Sequence, residues 1–207
     1  MEIILNSISK SFGREVIFRD VALALASGSR TAILGPNGSG KSTLLQLIAG
    51  ALVPSAGTIV HRHSSRVIGP DEVYQHVSIA APYLGLYEEL SLSQAIQFHT
   101  RFKPLRAGLK DDDVSRIAYL DHAADKPVQH FSSGMKQRLK LALAILSDTP
   151  LLLLDEPASN LDADAVEWFR KLLRVHIEGR TLVVASNRQA VEHDLCTDAM
   201  EMAHWKG

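Results

Sequence analysis

Gly35-Pro36-Asn37-Gly38-Ser39-Gly40-Lys41-Ser42, with Thr43 behind it, is the stretch that decides the fold: a glycine, four residues, then Gly-Lys-Ser. Glycines open backbone conformations closed to other residues, so successive N–H groups can turn inward on phosphate oxygens. The amino terminus of a following helix adds partial positive charge, and Lys41 adds a full one. Ser42 offers a hydroxyl to Mg²⁺, an ion that also needs water and at least one carboxylate. The loop therefore predicts binding of ATP together with Mg²⁺, and a downstream acid to complete the site.

The flanks agree with a phosphate loop. Arg30 to Leu34 reads as a short apolar strand running into Gly35, and Leu44, Leu45, Leu47 and Ile48 follow at helical spacing until Gly50. The missing acid comes much later. Leu151 to Leu154 is a fully apolar strand, and its carboxyl end delivers Asp155 and Glu156 to the rim where open α/β sheets bind ligands. Asp155 is placed to hold Mg²⁺, and Glu156 to polarise an attacking water as general base, since phosphoryl transfer needs positioning and charge more than covalent chemistry.

Outward from these two motifs, Ile3-Ile4-Leu5 and the alternating Val21, Leu23 and Leu25 read as β, with a turn at Gly28. Glu88 to His130 reads as a helical insertion, with helix starts at Ser91, Ser93 and the run Asp111-Asp112-Asp113. Leu139, Ala142, Leu143 and Leu146 mark a further helix, as do Val166, Phe169, Leu172 and Leu173, and Thr181 to Ala185 is another strand. Lys103 to Lys110 reads as a surface loop and the residues after Cys196 as a short tail. Strands alternating with helices imply a parallel sheet.

The 207 residues, 46% of them hydrophobic, suffice for one domain with a substantial core. A formal net charge of -1 argues against nucleic acid as a partner. The lone Cys196 excludes an intrachain disulfide and fits a reducing compartment. No run approaches the roughly 20 apolar residues that span a bilayer, so any attachment to a membrane is expected to run through a partner.

Phe131-Ser132-Ser133-Gly134-Met135, followed by Lys136-Gln137-Arg138 and lying just ahead of the strand that carries Asp155, resembles the LSGGQ signature of the ABC ATPases. Asp155-Glu156-Pro157 is similar to that family's Walker B motif, Ser159-Asn160-Leu161-Asp162 to its D-loop, and Phe12 to the aromatic residue that stacks on adenine. The resemblance covers essentially the whole chain. It implies a P-loop NTPase with a RecA-like parallel sheet core, an N-terminal antiparallel β subdomain and an inserted helical subdomain. Residues 1–82 and 148–207 form the core, and 83–147 the helical part carrying the signature.

The resemblance further implies the ATP-binding subunit of a transporter, cytoplasmic and peripheral at the inner face of the membrane through an integral permease. Two ATPase subunits, alike or different, pair head to tail, each ATP lying between residues 35–43 of one and Ser132, Ser133 and Gly134 of the other. Tyr83, Leu84, Leu86 and Tyr87 form the apolar run where the family grips a helix of the permease. A soluble ATPase of the same family, or a nucleotide-gated regulatory module, are the alternatives.

Four positions depart from the family pattern. Pro82 stands where a metal-contacting glutamine is expected, with Gln75 too far upstream to replace it, and Asn187 where a histidine touches the γ-phosphate. Asparagine can donate a hydrogen bond but cannot titrate as imidazole does, so slow hydrolysis is expected. Ser133 replaces a glycine, at a cost of about 1–2 kcal/mol should its backbone be left-handed; Met135 replaces glutamine. His61 and His63, two apart near a strand end, lack the companions of a metal site.

Overall fold

The computed structural model describes residues 1–205; Lys206 and Gly207, the last two positions of the expected 148–207 segment, lie outside them. Two sheets form the frame. β1 (Glu2–Phe12) and β2 (Glu15–Leu25) are an antiparallel hairpin, far longer than the apolar run Ile3-Ile4-Leu5 suggests. β4 (Ala56–His63) pairs with the other side of β1, and β5 (Arg66–Ile68) completes the order β2-β1-β4-β5.

The second sheet is parallel, in the order β6 (Val77–Ala80), β7 (Leu151–Asp155), β8 (Thr181–Ser186), β3 (Arg30–Leu34), β9 (Asp198–Glu201). β9 corrects the expectation of a short tail: residues 198–201 pair with β3 at the sheet edge. Leu34 lies opposite Ser186 and Asp155 opposite Ala185. The loops after β3, β6, β7 and β8 consequently leave at one rim, and that common rim is where the sheet positions chemistry.

The run Leu151 to Leu154 is apolar throughout because both faces of β7 are covered. Leu151 and Leu153 pack with α1 (Lys41–Ile48) and the antiparallel sheet. Leu152 and Leu154 pack on the opposite face with α2 (Leu92–Phe102), α3 (Asp111–Ile117), α4 (Ser133–Leu146) and α5 (Ala163–His176). Each of these four leucines is fully buried, worth roughly 1.5–3 kcal/mol apiece. The segment 83–147 thus shares one apolar cluster with the sheet rather than owning a separate core.

Local signals explain the helix starts. Ser91 caps α2 in a reciprocal box with Gln94, accepting from its N–H at 3.3 Å while the Ser91 N–H donates to Gln94 Oε1 at 2.9 Å. Ser93, expected as a start, lies inside that helix and donates to the Ala124 carbonyl instead. Three aspartates occupy the first turn of α3, where the helix dipole favours negative charge. Asp162 caps α5, accepting from Ala165 N–H at 2.8 Å.

Candidate functional site

A cavity of about 470 Å³ opens at the common rim, lined by Asn37, Gly38, Gly40, Lys41, Ser42, Thr43, Asp155 and Glu156 together with Glu15, Ile17, Pro82 and Tyr83. The loop reaches it by taking left-handed backbone at Gly38 (φ 76) and at Gly40 (φ 94), the residue that caps α1. Gly40 also has no room for a side chain: a Cβ there would come within 2.7 Å of Ile17 Cγ2. Past it, the first N–H groups of α1 lack helical acceptors and point towards the cavity end of the helix.

Lys41 is buried, and its ammonium donates to the carbonyls of Gly35 at 3.0 Å and Pro36 at 3.2 Å. Glu156 lies opposite, its Oε1 at 3.6 Å from Lys41 Nζ. Glu156 has φ 45, a conformation that costs a non-glycine residue energy and that recurs where a site over-determines its backbone. Its N–H donates to Ala185 O at 2.9 Å, holding the turn against β8.

Asp155 is buried, and neither of its carboxylate oxygens has a hydrogen-bond partner. Burial pushes its pKa up; the Ser42 hydroxyl draws it down, Glu156 raises it and Lys41 lowers it. A carboxylate left unpaired in the interior is costly. Two unpaired oxygens beside a serine hydroxyl are the donor set that a Mg²⁺ ion fits. Among the described residues no group of three His, Cys, Asp or Glu side chains gathers to cage a metal, in keeping with an ion that takes most of its ligands from water and phosphate.

Other singled-out residues lie elsewhere. Gly35, Pro36 and Ser39 belong to the loop but not to the cavity lining, and the Ser39 hydroxyl is buried without a partner. Phe12 stands outside the cavity too, half-exposed under the Lys10 ammonium at 4.8 Å from its ring centre, but it pairs across the hairpin with Glu15, which lines the cavity. Asn187 follows β8 off the cavity lining, with its Oδ1 buried and unpaired.

Ser132 caps α4, accepting from Met135 N–H at 3.2 Å, and Ser132 and Ser133 are exposed. Ser133 opens the helix and is absent from the left-handed residues, so the backbone cost expected there does not arise. Gly134 packs against the Asn160 carbonyl, and Gln137 donates to Pro157 O at 3.0 Å, tying the start of α4 to the segment after Glu156.

Three contributors escaped the sequence reading. Tyr83, read there as part of an apolar surface run, lines the cavity beside Pro82. Gln46 on α1 comes near the Tyr83 phenol. Glu192, on the short helix α6 (Ala190–His193), is fully buried and accepts from Ala158 N–H at 3.1 Å and from the Ser186 hydroxyl at 2.5 Å. Burial holds its pKa high, against the pull of those two donors. Nothing adjacent in sequence marks Gln46 or Glu192, and Tyr83 is marked only by its place beside Pro82. His61, by contrast, is a buried strand residue whose Nε2 meets Ile48 O at 2.8 Å.

The sequence profile of the ABC transporter family matches residues 18–159, more than half of the chain. The chain is 31% identical to the cytochrome c biogenesis ATP-binding export protein CcmA of Rhizobium meliloti, over 91% of this chain and 92% of that protein. It is 34% identical to the sulfate/thiosulfate import ATP-binding protein CysA of Pseudomonas aeruginosa, over 98% of this chain but only 62% of the longer relative. In three dimensions it shares its fold with an ABC transporter ATP-binding protein from Pyrococcus furiosus (TM-score 0.81, 18% identity, all of both chains). The same fold occurs in the dimeric structure of a bacterial ABC transporter cassette (TM-score 0.81, 23% identity, 97% of this chain and 94% of that one).

Proposed function

The chain belongs to the ABC transporter family of ATPases, and from that premise we propose that it binds Mg-ATP on residues 35–43 and hydrolyses it to drive a membrane-spanning permease. The observation that carries this reading is Asp155, a buried carboxylate with two unpaired oxygens in one cavity with Ser42, Lys41 and Glu156. Ser42 and Asp155 hold Mg²⁺, which when bound supplies neutralisation of the phosphate charge. Lys41 exchanges the Gly35 and Pro36 carbonyls for phosphate oxygens, loop amides from Asn37 to Thr43 surround the remainder, and Phe12 offers a face for adenine. Glu156 orients the attacking water and takes its proton.

The nucleotide is completed by a second subunit, arranged head to tail, whose exposed Ser132, Ser133 and the helix start at Gly134 face the terminal phosphate. Turnover is slow in this reading, because Pro82 brings no polar group to the cavity and Asn187 stands off its lining. Residues 83–147 act as the helical subdomain. A row of exposed aromatics suits the permease: Tyr87 meets Phe98 edge-on at 4.6 Å, and Phe98 lies 5.2 Å from Phe102. In this reading the chain is a peripheral subunit at the cytoplasmic face, held there by the permease; among the described residues no helix is long and apolar enough to cross a membrane.

Two measurements test this. Calorimetric titration with Mg-ATP should show Lys41→Ala weakened by about 100-fold, the worth of roughly 3 kcal/mol for a charged contact to phosphate; an unchanged affinity sinks the nucleotide site. Affinity capture from native membranes should recover a multi-span permease, and recovery of soluble partners alone would refute the transport role.

A further inference from the structure

Tyr83 leaves the end of β6 three residues after Ala80 and enters the cavity beside Pro82. The residue is 43% exposed, so core packing does not account for its position. Every other polar side chain of the lining comes from the phosphate loop, from β7 or from Glu15 on the hairpin; Tyr83 is the polar group that the β6 loop contributes.

Gln46 lies on α1, one turn beyond Ser42, and comes near the Tyr83 phenol. Asp155 lines the same cavity and neither of its oxygens has a hydrogen-bond partner, so the phenol does not donate to it. A phenol and an unpaired carboxylate front the same space.

Resting on the proposed nucleotide site, we infer that Tyr83 is a further substrate contact, its hydroxyl donating to the terminal phosphate of bound ATP and supplying the polar group that Pro82 lacks. The phenol is protonated at neutral pH, as a tyrosine ordinarily is, so the hydroxyl can donate. A contact to the third phosphate discriminates ATP from ADP, whereas Lys41 and the loop amides serve both nucleotides.

The experiment is a calorimetric comparison of Mg-ATP and Mg-ADP on the wild-type chain and on Tyr83→Phe, which keeps the ring and removes the hydroxyl. ATP affinity should fall about tenfold, in the range of one hydrogen bond to a charged group, and ADP affinity should stay within about twofold. An unchanged ATP affinity, or an equal loss for both nucleotides, overturns the inference. Thermal unfolding of the variant guards against a packing defect: an equal loss accompanied by a lowered Tm assigns Tyr83 to structure and likewise overturns it. A wild-type chain that binds neither nucleotide overturns the proposed function first; normal wild-type binding with an indifferent Tyr83→Phe overturns only this contact.

Discussion

Lys41 Nζ lies 3.6 Å from Glu156 Oε1 while its ammonium also donates to the carbonyls of Gly35 and Pro36. The loop lysine and the strand-end glutamate are therefore one electrostatic unit, and the glutamate's charge lines the cavity proposed to take the phosphates. Removing that charge without removing the side chain separates binding from chemistry.

Glu156→Gln should retain or modestly tighten Mg-ATP binding, since one negative charge leaves the cavity, while phosphate release falls by about 100-fold or more, the usual worth of a positioned general base. Titration calorimetry and a phosphate-release assay on the same preparations check this. Equal turnover in the two proteins would remove Glu156 from its role.

Gly40→Ala should damage the loop twice over. The new Cβ is forced within 2.7 Å of Ile17 Cγ2, on a backbone of φ 94 that disfavours any side chain. A loss of about 1–3 kcal/mol follows from strain and overpacking, lowering Tm by roughly 2–4 °C per kcal/mol for a chain of this size. Nucleotide affinity should fall with it. A variant as stable as wild type would show that the hairpin yields at Ile17.

Ser132 has a capping duty in the structure and a second, proposed one across the dimer. Ser132→Ala loses the cap on α4 and should cost about 1 kcal/mol, read by denaturant unfolding. Ser132→Asp keeps a capping oxygen but adds a negative charge where the second subunit's nucleotide is proposed to lie. It should fold with wild-type stability and fail to form an ATP-dependent dimer, measured by light scattering. Wild-type dimerisation by the aspartate variant would refute the trans contact.

His99 sets an acid limit. Burial, with the Lys103 ammonium beside it, pushes its pKa down from 6.5 to about 4. Its Nε2 meets the Ser147 oxygen at 2.9 Å, and that hydroxyl itself donates to Leu143 O. Between pH 6.5 and 4 the unfolded chain takes up a proton that the folded chain refuses. Stability is therefore full above 6.5, declines as pH falls through the window, and levels off below 4, by about 3 kcal/mol at most. His99→Gln should flatten part of that slope in denaturant titrations, the remainder coming from groups such as His61, whose pKa burial also lowers. Superimposable slopes would overturn the assignment.

What could be read from residues alone was local. Gly35 to Ser42 carries its geometry in its glycines, Leu151 to Leu154 announces a strand covered on both faces, and Ser91 and Ser132 are caps whose partners lie three residues on. What escaped is set by distance along the chain. β9 has too few apolar residues to show as a strand and exists because β3 offers it an edge. Tyr83 and Tyr87 look alike in sequence, and only the course of the loop after β6 sends one to the cavity and leaves the other at the surface. The concern over Ser133 dissolved because its backbone is helical, a matter of where α4 begins.

Glu192 has one last implication. A single carboxyl group, 1% exposed, accepts from Ala158 behind Glu156 and from Ser186 ahead of Asn187. Displacing either loop alone would strand an oxygen in the interior at about 1–3 kcal/mol. The two loops are thus yoked, and a displacement of residues 157–161 is felt at residue 187 as well.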